Sequence, residues 1–137
     1  GAEPLLNVNT SAELARAGFE AFNRGDLETV LGLLDPEVEI HSVGEMGEEG
    51  TYHGHEGYLE WTSIWLDAWD EFTVELTEIE EVDESNVLIH SRQRGRGKGS
   101  GLEVEQYGVY LFTIRNGLAT RLHLYADRES ALAAARS

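Results

Sequence analysis

The chain has 137 residues, 41% of them hydrophobic, with 26 acidic against 10 basic side chains and a formal net charge of −16. One domain with a real core fits that length and two do not, while the charge repels phosphate backbones and excludes nucleic acid as a partner. There is no cysteine, so disulfides, thiolate metal sites and cysteine nucleophiles are excluded, and no apolar run approaches the roughly 20 residues of a membrane span.

Residues 1–8 are expected to form a flexible arm, and 9–137 a single domain. Thr10 or Ser11 can cap a first helix, with Glu13 in its first turn, where the helix dipole favours an acid. Leu14, Ala15, Gly18, Phe19 and Phe22 form its inner stripe. Gly25 can end that helix in a left-handed cap and Asp26 can cap the next. The second helix carries Leu27, Val30, Leu31 and Leu34, and Asp35-Pro36 stops it. Val38 to Val43 alternates as a strand should. Gly44 to Gly50 is a glycine-rich, acidic segment, expected as a loop at the mouth of a cup.

Thr51 to Gly57 leads into a third helix over about Glu56 to Trp69. Its inner face is expected to use Leu59, Ile64 and some of Trp61, Trp65 and Trp69. A strand meander follows: Phe72–Val82, Val87–Arg96, Leu102–Arg115 and Leu118–Asp127. Asp83–Asn86, Gly95–Gly101 and the hairpin pair Asn116-Gly117 supply its turns. Arg128–Arg136 is an alanine-rich tail helix. Helices followed by an antiparallel meander give an α+β fold. The expected shape is a cone, a curved antiparallel sheet wrapped around the N-terminal helices with a cavity between them. Apolar residues on both faces of the strands require the outer face to be covered as well, and a homodimer through the sheet is the simple solution. No signal peptide pattern is visible, so cytoplasmic is the default expectation.

Alternation puts Arg121, His123, Tyr125 and Asp127 on one face of the last strand. If that face is concave, His123 and Asp127 form an acid/base pair beside Tyr125, because burial and charge would shift both pKa values. The alternative is that Asp127 caps the tail helix and pairs with an arginine. His41 shares a face with Glu39 and is either a pocket base or a half-exposed strand residue. Gln106 and Tyr110 share a face of the long strand, and Trp61 and Tyr52 are further candidates for ligand contact. Arg92, Arg94, Arg96 and Lys98 form either a local anion site or a solvated edge balancing glutamates. His53 and His55 are spaced for turn and capping chemistry, so no metal is expected.

Four stretches in order carry a family resemblance: Phe19–Leu34, Tyr52–Gly57, Arg94–Gly101 and the close from Phe112 through Asn116-Gly117 to Tyr125–Arg128 and Ala131-Leu132. Together they resemble the nuclear transport factor 2-like superfamily, which shares the cystatin-like cone, and in particular its SnoaL-like, polyketide-cyclase-related branch. The resemblance implies a small-molecule pocket and chemistry without a cofactor. Ketosteroid isomerases of the superfamily use a tyrosine, an aspartate base and a second acid. Their places fall on Gly18, Ser42 and near Tyr110, so isomerase activity is not expected. SnoaL-type cyclases carry an acid/base aspartate just after the last strand, where Asp127 stands. Limonene-epoxide hydrolase uses an Asp-Arg-Asp set, for which Arg92 or Arg94 could supply the arginine, but no second aspartate accompanies them. Two readings follow for a small hydrophobic molecule. One is an acid/base enzyme of the cyclase, hydrolase or isomerase class using Asp127, His123 and His41. The other is a binding protein without turnover, with a dimeric interaction module behind both.

Overall fold

The computed structural model describes residues 11–42 and 50–136, apart from the side chain of Trp65. The loop expected at 44–50, and the arm at 1–8, lie outside them except for Gly50. In chain order come α1 (Ser11–Asn23), α2 (Leu27–Leu33), β1 (Leu34–Ser42), β2 (Gly50–His53), α3 (Gly54–Ala68), β3 (Trp69–Glu81), β4 (Asn86–Gly97), β5 (Glu103–Arg115), β6 (Leu118–Tyr125) and α4 (Arg128–Arg136). The strands form a six-stranded sheet in the order β2-β1-β6-β5-β4-β3. All its pairings are antiparallel except β1 with β6, which is parallel.

Local chemistry explains the boundaries. Gly25 takes φ +78°, the left-handed turn that ends α1. Asp26 then accepts from the Thr29 backbone N–H at 3.1 Å and caps α2. Asn116 and Gly117 both have positive φ, as a two-residue hairpin of primed type requires, and they join paired Arg115 and Leu118. Two sequence expectations shift. Strand β1 begins already at Leu34, with exposed Pro36 at a break in its pairing with β6, so Asp35-Pro36 lies in the strand and does not precede it. Trp69 leaves the third helix and pairs with Gly97 at the start of β3. The segment at 50–53 is a short edge strand beside β1.

Asn23, at the end of α1, fastens that helix to the edge strand β3. Its Nδ2 donates to the Val74 carbonyl at 2.7 Å, and its Oδ1 accepts from the Val74 N–H at 2.9 Å. An edge strand has free backbone groups on one side, and this side chain satisfies one pair of them.

The core divides between the two faces of the sheet. On the inner face Val38, Ile40, Val74, Val87, Ile89, Tyr110, Phe112, Leu122 and Leu124 pack beneath the helices with Leu14, Phe19, Val30, Tyr58 and Trp61. On the outer face Leu88, Val109 and Leu111 pack against Ala131 and Ala135 of α4. The tail helix thus covers part of the second face.

Candidate functional site

The register decides which side chains meet the cavity. Ile40 pairs with Leu122, and Leu122 with Phe112, so these three residues share the inner face. The cavity is bounded by Leu14, Gly18, Phe19 and Phe22 of α1, by Tyr58, Trp61 and Thr62 of α3, and by Phe72, Val74, Tyr110, Phe112 and Leu122 of the sheet, closed off by Val30, Leu33 and Leu34. Its wall is aromatic and aliphatic, and among the described residues the titratable groups lining it are the phenols of Tyr58 and Tyr110. Burial pushes both phenols well up, so they stay neutral and can donate a hydrogen bond.

Tyr110 is held in place from two sides. Its ring meets Phe19 edge-on at 5.0 Å. Its hydroxyl accepts a hydrogen bond from Gln93 Nε2 at 2.9 Å. Gln93 lines a smaller crevice with Trp69, Phe72 and Gln106, and Phe72 is a wall of both spaces.

Inner-face alternation on β6 falls on Leu122 and Leu124, so His123 and Tyr125 face outward. This corrects the expected acid/base arrangement. His123 stands on the outer face with Nε2 at 3.1 Å from Glu39 Oε2 and Nδ1 at 3.1 Å from the Tyr125 hydroxyl. Its pKa is lowered, because burial of the ring outweighs the pull of the Glu39 carboxylate, and Arg121 and His41 also oppose the charged form. His41 is beside it, ring to ring at 5.4 Å, and its Nδ1 is 3.1 Å from Thr51 Oγ1. Asp127 is exposed, and its Oδ1 accepts from the Ser130 backbone N–H at 2.8 Å, which makes it the cap of α4. That bond and its neighbours hold the Asp127 carboxyl below its ordinary value. Arg92 is also outside the cavity. It donates to the Tyr107 hydroxyl at 2.9 Å and sits near Glu75 and Glu105.

Of the other expected contacts, Tyr110 and Trp61 line the cavity, Gln106 lines the crevice, and Tyr52 packs against the edge of the core. Sequence reasoning missed Gln93, Tyr58, Thr62 and Phe72. Gln93 alternates in phase with buried Val87, Ile89 and Ser91, a signal hidden by the arginines on both sides of it.

His55 bonds the Leu34 carbonyl at 2.9 Å and is used structurally. Among the described residues, Glu78, Glu80 and His90 bring ligand atoms within 4.8 Å of one another on the outer face. Arg128 Nε already donates to Glu80 Oε1 at 2.9 Å, which makes this group an ion-pair network. No described helix is long and apolar enough to cross a membrane.

Comparison with known proteins gives the same architecture. Residues 15–122 match the family model of the SnoaL-like domain. No curated protein matches the sequence. Among solved structures, TerC co-crystallised with polyporic acid has 23% identity, with 92% of this chain and 98% of that chain covered at a TM-score of 0.74. An NTF2-like protein from Burkholderia thailandensis E264 has 18% identity, with 95% and 99% covered at 0.78. A Mycobacterium tuberculosis protein in complex with estradiol-17β-hemisuccinate has 17% identity, with 87% and 95% covered at 0.72. At these identities the likeness shows the fold.

Proposed function

Because the chain belongs to the SnoaL-like family, we propose that it binds a small, largely apolar molecule in the cavity between its helices and the inner face of its sheet. One observation carries this reading. The described cavity wall is apolar and aromatic, with neutral phenols as its titratable groups. Such a wall favours an uncharged, ring-containing ligand through apolar burial and ring stacking. It also favours binding over base-catalysed turnover, since no carboxylate or imidazole stands among the described lining residues and a phenol held neutral is a donor and not a base. The molecules named with TerC and with the Mycobacterium tuberculosis protein, polyporic acid and estradiol-17β-hemisuccinate, share the ring-containing part of this description, although both are acids.

A homodimer is the second part of the reading. The outer face beyond α4 carries His41, His123 and Tyr125 in mutual ring contact, a surface suited to pairing with a second copy. Light scattering on the eluting protein checks it, and a monomer at micromolar concentration would overturn it.

Gly18 gives the direct test of the cavity. A Cβ added there meets Leu33 Cδ1 at 3.9 Å and nothing nearer, so a larger side chain extends into the open space. Calorimetric titration with two-ring aromatic compounds is expected to show binding by the native protein and none by Gly18→Leu. The variant should melt no lower, since glycine in a helix interior costs about 1 kcal/mol relative to alanine. Equal binding by both proteins, or no binding by the native one, would overturn the reading.

A further inference from the structure

We propose that Gln93 and Tyr110 together recognise a hydroxyl group on the ligand, which makes the preferred ligand an aromatic or alicyclic alcohol or phenol. This rests on the binding role given to the cavity above. Both side chains are nearly sealed from solvent, at 2% and 5% exposure. Their strands pair Gln93 with Gln106 and Ile89 with Tyr110, so both project from the inner face.

The hydrogen bond between them leaves groups over. Gln93 Nε2 donates to the Tyr110 oxygen, and Gln93 Oε1 has no partner among the described residues. The Tyr110 hydrogen is likewise available, because the hydroxyl's hydrogen bond among the described residues is the one it accepts. Turning the amide over changes the roles and still leaves at least one of each. Tyr110 then donates to Oε1, while the Nε2 hydrogens and a phenol lone pair are left. In either orientation at least one donor and one acceptor are left on this bonded pair, with Tyr110 on the cavity wall and Gln93 on the crevice behind it.

An unpaired buried polar atom is costly, and the cost is recovered only by a group that answers it. A hydroxyl accepts from one member of the pair and donates to the other. A carbonyl can use the donor alone. A methyl group uses neither. A carboxylate would carry charge into an apolar wall, and the Arg94 beside the crevice is already paired with Glu105 at 2.9 Å, so it ranks last. The expected order of preference at this position is hydroxyl, carbonyl, methyl, carboxylate.

The test compares 2-naphthol with 2-methylnaphthalene, which have nearly the same shape. Affinities are measured by calorimetry for the native protein and for Gln93→Met/Tyr110→Phe, which keeps the volumes and removes both polar groups. Comparing the two proteins cancels the differing hydration of the two ligands. The hydroxyl preference is expected to fall by about tenfold or more in the double variant, the effect of losing two hydrogen bonds. If both compounds bind and the preference stays within about twofold, the pair does not read the hydroxyl, while the cavity reading stands. If neither compound binds the native protein, the cavity reading fails and takes this inference with it. A second readout needs no variant. The Gln93 side-chain amide resonances should shift with 2-naphthol and remain in place with 2-methylnaphthalene, and equal shifts with both would overturn the proposal.

Discussion

The imidazole of His123 and the carboxylate of Glu39 meet at 3.1 Å across the parallel pair β1 and β6, on the side of the sheet away from the cavity. The contact couples stability to pH. Burial sets the sign, since it lowers the His123 pKa below its ordinary 6.5 despite the adjacent carboxylate. The unfolded chain therefore takes up the proton first as pH falls. The contribution of His123 to stability is fully present above about pH 6.5 and is lost as pH drops through the folded value. Urea midpoints measured from pH 7.5 to 5 should decline, and His123→Gln should flatten that part of the profile. An unchanged slope in the variant would remove His123 from the account.

Asn23→Ala should destabilise the fold by about 2 kcal/mol, because it breaks two hydrogen bonds to one peptide unit of the edge strand. It also loosens Phe72 and Val74, both walls of the cavity. Ligand affinity should fall along with the melting temperature. A loss below about 0.5 kcal/mol would mean that water replaces the amide at little cost.

Asp127→Ala should leave ligand affinity unchanged and lower the melting temperature by about 3 °C, the effect of removing a helix cap. Asp127→Asn should restore most of it, since an amide oxygen also caps. Loss of binding in the alanine variant with stability intact would return Asp127 to the site.

The Arg128 guanidinium draws the Glu80 carboxyl down to about 2, from an ordinary 4.5, and the pair ties α4 to β3. Stability from this pair is present above about pH 4.5 and is lost as pH falls toward 2. It lies largely in solvent, so salt should screen it. The difference between the native protein and Glu80→Gln should shrink at low pH and in 1 M salt. A difference independent of both would assign the effect to packing of α4 instead.

Much of the fold was legible in the chain. Gly25-Asp26 and Asn116-Gly117 place turns through backbone conformations that few residues adopt, and those signals act within four residues. The stripe of Leu14, Phe19 and Phe22 likewise sets the inner side of α1. Strand β2 and the helical end at Ala68 were less legible, because edge pairing with β1 and the Trp69–Gly97 contact depend on partners far away in sequence.

The site was legible in one respect and not in another. Alternation grouped Arg121, His123 and Tyr125 on one face, and the structure keeps them together. It grouped Gln106 with Tyr110 in the same way. Period two says which residues share a face and is silent on which face is concave. In many sheets the apolar side answers that question. Here both sides carry apolar residues, because α1, α2 and α3 cover one face and α4 part of the other. The sequence by itself determined the helices, the turns, every strand but β2 and the two-sided grouping of their residues, all set by local backbone preference and periodicity. Only the tertiary structure decided that Leu122 and Leu124 point inward and His123 outward, because that choice is made by the packing of the helices against one face of the completed sheet.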